Sequence, residues 1–204
     1  MKHPSRSRVL LYAVAGFALA LQPARVDAHL NSTGMGPVYD GMLHFVLGPE
    51  DLIPALALAL LAGLRGAPHG RRALFTLPIA WLLGGLLGVT VSAANDSALL
   101  SSLWFVVLGA LLAADAKLSL PALTALAAFL GLMHGYLNGA GMGTPDTAVI
   151  ALLGLVSAVF VLVALAAALV VRLHAQWARI AVRVAGSWIV AIGLLMLGWS
   201  ARAA

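Results

Sequence analysis

Along this chain, long apolar runs alternate with short breaks that hold most of the charges, prolines and glycines. Several runs reach the length of about 20 residues that a helix needs to cross a bilayer. The pattern predicts spans over residues 51–64, 73–94, 98–114, 118–137, 147–171 and 178–199. The first is short alone and draws in residues from about Gly48. Ahead of it, residues 37–47 predict one more helical piece, roughly 16 Å long at 1.5 Å per residue. That is too short to cross, so it belongs to a re-entrant or interfacial segment.

Residues 1–28 follow a different pattern. Lys2, Arg6 and Arg8 precede an apolar run over residues 9–21, and a polar stretch then ends in Val26-Asp27-Ala28. This is the layout of a secretory signal with a small residue at the cleavage site. Cleavage after Ala28 makes His29 the first residue of a mature domain over residues 29–204. The alternative is an uncleaved anchor helix.

Basic residues orient the spans, because short cytoplasmic loops hold the Lys/Arg excess. Arg65, Arg71 and Arg72 share one loop, Lys117 lies in the next loop but one, and Arg172, Arg179 and Arg183 surround the last. The breaks at 95–97 and 139–146 hold none. Six spans with an external N-terminus place all these basic loops in the cytoplasm and leave Arg202 outside. The expected fold is therefore all-α: a six-helix polytopic bundle of a bacterial inner membrane, its mature N-terminus periplasmic, with the short helix before it.

Composition agrees. The chain is 62% hydrophobic and 9% charged, with mean hydropathy +1.02, a balance that cannot cover a soluble globule with polar surface. The lipid bilayer is its first partner. The net charge of +5 invites a nucleic-acid reading, but the basic residues occur in ones and twos without a stripe or interleaved aromatics. Loss of the signal removes four of twelve basic and one of seven acidic residues, leaving +2. The absence of cysteine excludes disulfides, thiolate metal sites and thiol nucleophiles. Gly84 and Gly88, then Gly131, Gly135 and Gly139, recur at four-residue spacing and predict close helix packing, within one bundle before between copies. The oligomeric state is left open.

Ionisable groups within apolar helices are costly, so an intramembrane His or carboxylate marks a candidate site. Asp40 and His44, four apart, share one face of a helical segment. They make either half of a divalent-metal site or a local hydrogen-bonded pair. His134 and Asn138 repeat the spacing near the external end of the fourth predicted span. His29, once freed, offers an α-amine and an imidazole to one metal. Glu50 and Asp51 follow Pro49 at a helix start, where acidic groups suit the dipole. They read as capping first and as an outer cation funnel second. Asp146 reads as a cap for the fifth span, and His69 and His174 as solvated loop residues. No Ser-His-Asp set, phosphate loop or paired catalytic carboxylates can be assembled, so no enzyme and no prosthetic group is expected.

The runs Ala28-His29-Leu30, Gly34-Met35-Gly36-Pro37, Tyr39-Asp40-Gly41 with His44, Pro49-Glu50-Asp51-Leu52 and Leu60 through Gly66 resemble the HupE/UreJ family of membrane proteins, most closely its second branch. The resemblance covers most of the chain and implies a permease for nickel or cobalt. The family's Asp-His signature falls on Asp40 and His44, here separated by three residues, and its His-Gly motif on His134 and Gly135. Asn138 stands where a second His is common. The leading expectation is ATP-independent uptake of a divalent metal from the periplasm. Copper is the alternative ion, since an N-terminal His chelate suits Cu(II) and Met35, Met42, Met133 and Met142 could serve Cu(I). A non-transporting sensor, or an assembly partner for a periplasmic metalloprotein, is the alternative role.

Overall fold

The computed structural model describes residues 33–91, 98–142, 145–173 and 175–203. The segment expected as a signal (residues 1–28), His29 and His174 lie outside these residues. Seven helices follow one another: α1 Pro37–Leu47, α2 Pro49–Leu64, α3 Ala67–Val89, α4 Ala98–Ala113, α5 Leu120–Gly141, α6 Pro145–Val171 and α7 Gln176–Ala203. No described residue lies in a strand.

Helices α3, α5, α6 and α7 are long and apolar enough to cross a membrane. Together α1 and α2 make a fifth apolar unit, bent by 73°, in the form of a broken span or re-entrant loop. A sixth pass requires α4, whose sixteen residues extend about 24 Å. The chain is thus a multi-pass helical membrane protein, with four helices of spanning length, one bent apolar pair and one shorter apolar helix among its described residues.

Local sequence sets the breaks. Pro49 lacks an N–H and disfavours helical geometry at the residue before it, so Gly48 turns extended (φ −85°, ψ 94°) and closes α1. Pro49 then opens α2 from the first turn, where a missing N–H costs nothing. Helix α3 starts six residues before the position expected from hydropathy. Gly66 (φ 100°) and Pro68 nucleate it, and the Arg71-Arg72 pair rides on its first turns. Helix α5 runs past residue 137 to Gly141 because its glycines are packing positions rather than terminators.

Those glycines build the tightest pairing. A Cβ on Gly135 would stand 2.0 Å from the Trp81 carbonyl oxygen, and one on Gly139 2.1 Å from that of Gly85. In return, Gly84 and Gly88 meet the carbonyls of Leu132 and Tyr136 at 2.1 Å. Positions rise together along both helices, so α3 and α5 run parallel. Glycine spacing therefore serves packing within the bundle. Helices α4 and α7 run antiparallel: Gly109 abuts Gly186, and Gly193 abuts Phe105. Helix α1 crosses α6 where Gly41 meets the Ala151 carbonyl and Gly154 that of Val38. This contact lies roughly 9–14 Å along α6 from its start.

Arg65, Arg71, Arg72, Arg172, Arg179 and Arg183 gather at one end, opposite Arg202. Arg65 pairs with Asp115, Arg179 donates to the Leu64 carbonyl at 3.2 Å, and Arg183 donates to that of Ala113 at 3.0 Å. Cations thereby cover the last carbonyls of α2 and α4, where the helix dipole favours them. Asp115 takes left-handed geometry (φ 50°). The Ala116 and Asp115 N–H groups bond the Leu111 and Leu112 carbonyls, a Schellman closure of α4. At this same end His69 departs from the expectation of a solvated side chain: both ring nitrogens are shielded and without a hydrogen-bond partner. The first turn of α3 folds its ring inward instead of leaving it in a loop.

Candidate functional site

At the end of the bundle away from these arginines, two ionisable side chains meet. Asp51 is the third residue of α2, yet its carboxylate does not cap that helix. Oδ1 lies 2.7 Å from His134 Nδ1 on α5, and the residues are 2% and 3% exposed. The capping reading of Asp51 is therefore corrected: a buried carboxylate needs a specific partner more than a dipole. Gly131 and Gly135 flank His134 and let α5 settle onto the Leu77 and Trp81 carbonyls of α3, which fixes the height of the imidazole.

Aromatic rings wall the pair. The His134 ring centroid is 5.3 Å from that of Trp81 and 6.1 Å from that of Trp104. Phe45 of α1 stands edge-on to Trp81 at 5.9 Å, and Trp104 Nε1 donates to Met133 Sδ at 3.3 Å. These rings exclude water and hold the imidazole plane.

Half of the pair's hydrogen-bonding capacity is unused. His134 Nε2 and Asp51 Oδ2 are buried without a partner, as are Asn138 Oδ1 and Trp81 Nε1. Buried polar atoms are rarely left unpaired, so such a group calls for an explanation. With Nδ1–H donated to Asp51, the Nε2 lone pair is free. A histidine held at one nitrogen by a carboxylate and open at the other has the arrangement of a metal ligand with its supporting residue. Asn138, one turn further along the same face of α5, adds a neutral oxygen.

The other expected site residues fall elsewhere. Asp40 Oδ1 accepts hydrogen bonds from Thr33 N–H at 2.5 Å and Thr33 Oγ1 at 2.6 Å. Two donors converging on one oxygen favour an ionised carboxylate. The Met35 N–H in turn donates to Thr33 Oγ1 at 3.0 Å, so the segment ahead of α1 is folded around Asp40. His44 and Glu50 are half-buried. Asp146, expected as a cap, lies inside the first turn of α6. Among the described residues no three His, Cys, Asp or Glu side chains gather closely enough to hold a metal. The structure thus does not assemble Asp40, His44 and His134 into a three-ligand set. Asp40 turns to Thr33, and His134 turns to Asp51.

Sequence reasoning placed His134 and missed its partner. The usable signal was scarcity: few carboxylates fall in this part of the bundle, and a buried imidazole there needs one of them. The Trp81 and Trp104 walls carry no spacing signal that separates them from ordinary core aromatics.

Residues 17–196 match the family described as HupE / UreJ protein. Neither the curated proteins nor the solved structures give a match. Because the family match takes in most of the chain, including both helices that carry the Asp51–His134 pair, this protein belongs to the HupE/UreJ family.

Proposed function

We propose that the protein is a secondary transporter that takes up a divalent transition metal, nickel or cobalt before copper. Its family is a membrane-transporter type, generally associated with nickel and cobalt. The observation that carries the reading is the buried Asp51–His134 pair with its remaining polar atoms unpaired. In this reading His134 Nε2 receives the ion, Asp51 steadies the imidazole from Nδ1, and Asn138 Oδ1 adds a neutral oxygen. Asp40, His44 and Glu50 help to collect it, as would the amine and imidazole of a freed His29. Imidazole and oxygen donors suit borderline divalent ions. So few protein ligands leave other coordination positions to water, which lets the cargo leave again.

The arginine end faces the cytoplasm by the positive-inside rule, which puts the pair on the periplasmic side of an inner membrane. Between Asp51 and Arg65, the enclosed side chains of α2 include Ala55, Leu58 and Ala62. Inward passage therefore requires helices to move, as in alternating-access carriers. Metal accumulation by proteoliposomes, compared across nickel, cobalt, copper and zinc, tests the reading. Binding without accumulation would favour the sensor or assembly role.

A further inference from the structure

Beside α3, on the flank toward α5, an apolar groove of about 640 Å³ opens to the outside of the bundle. Phe75, Ile79, Leu83 and Leu132 form exposed parts of its wall. Its charged residues are Arg71 and Arg72, both at the arginine end, and no acidic residue lines it. From Arg71 to Leu83 it follows α3 for roughly 18 Å, close to one leaflet of a hydrocarbon core about 30 Å thick. A smaller groove of about 240 Å³ lies between α3 and α6, shares Arg71 and adds Arg172. Three other cations at this end are engaged: Arg65 by Asp115, Arg179 by the Leu64 carbonyl and Arg183 by that of Ala113. Among the described residues, Arg71 and Arg72 have no such partner.

We propose that these grooves hold one anionic diacyl phospholipid of the adjoining leaflet. Its phosphate sits on Arg71 and Arg72, with Arg172 beside it, and its chains lie along the two flanks of α3. The match is one of charge and length together: cations at the headgroup level, an apolar trough close to a leaflet in length on one flank of α3, and a shorter one on the other. Basic pockets between transmembrane helices on the cytoplasmic side recognise anionic headgroups in this way. The proposal is independent of metal binding, since the Asp51–His134 pair lies at the other end.

Native mass spectrometry of the purified full chain, titrated with phosphatidylglycerol or phosphatidylcholine, tests it. Wild type should retain phosphatidylglycerol in preference, and the Arg71→Gln/Arg72→Gln double variant should lose that preference, at about fivefold per arginine. Arg72→Lys, which keeps the charge, and Arg202→Gln, at the far end of α7, should both retain it. Equal binding of the two lipids by wild type would overturn the proposal without reference to any variant. An undiminished preference in the double variant would overturn it too.

Discussion

Asp51 Oδ1 and His134 Nδ1 stand 2.7 Å apart across 83 positions of sequence, joining the start of α2 to the later half of α5. The contact fixes which imidazole nitrogen is left over. With the proton on Nδ1 and donated to Asp51, Nε2 presents a lone pair into an aromatic-walled space. Replacing the carboxylate by an amide keeps the shape and loses the charge. Asp51→Asn should weaken metal binding roughly 10–100-fold, the usual effect of losing a ligand's supporting partner. Isothermal titration with nickel and cobalt measures it, and unchanged affinity would show that the pair only satisfies two buried polar groups.

Proton competition gives a second expectation. Imidazole coordinates only when its ligating nitrogen is deprotonated, so metal binding releases protons and weakens as pH falls. Isothermal titrations at neutral and at acid pH test this. Wild-type affinity should drop toward the acid side. Whatever binding survives in His134→Ala should vary less with pH, and an equal pH dependence in the two proteins would move the ligand elsewhere.

The α3–α5 contact predicts a sharp contrast among glycines. Gly135→Ala drives a methyl group into the Trp81 carbonyl, a backbone atom that cannot swing aside. Gly198 has nothing within 4 Å of an added Cβ. Thermal unfolding in detergent should show Gly135→Ala destabilised by about 1–3 kcal/mol, the usual cost of overpacking, and Gly198→Ala near wild type. Equal stability of both would mean that the helices separate without cost.

Topology can be read by single-cysteine labelling, which is clean because the chain has no native cysteine. Arg71→Cys should be labelled only after the cytoplasmic side is exposed. Gly141→Cys, exposed at the opposite end of the bundle, should react with an impermeant reagent from outside. External labelling at position 71 would reverse the assignment of the site to the periplasmic face.

Hydropathy and punctuation made α1 legible to the residue, since Gly36-Pro37 and Gly48-Pro49 bracket it and both prolines act through covalent geometry. Glycine spacing likewise pointed to packing within the bundle, because a four-residue repeat marks one helix face whatever the tertiary fold. Charge placement marked the arginine end. Helix ends were less legible where charge and helix coincide: Arg71 and Arg72 read as loop residues but sit on α3, whose start is set by Gly66 and Pro68. The partner of His134 was illegible for a different reason. Asp40 and Asp51 both precede it by long stretches, and spacing cannot rank them. The 73° bend at Gly48 decides between them by separating α1 from α2, and Thr33 then occupies Asp40. No local pattern encodes that angle.

The central claim is that His134, steadied by Asp51, is the point at which the protein takes hold of its metal. Its most direct measurement is nickel and cobalt accumulation in proteoliposomes holding equal amounts of folded wild type, His134→Ala and Arg202→Gln. The account predicts uptake by wild type and Arg202→Gln, and at least a roughly tenfold loss in His134→Ala, of the order expected when a metal site is disabled. Uptake by His134→Ala at the wild-type rate would contradict it.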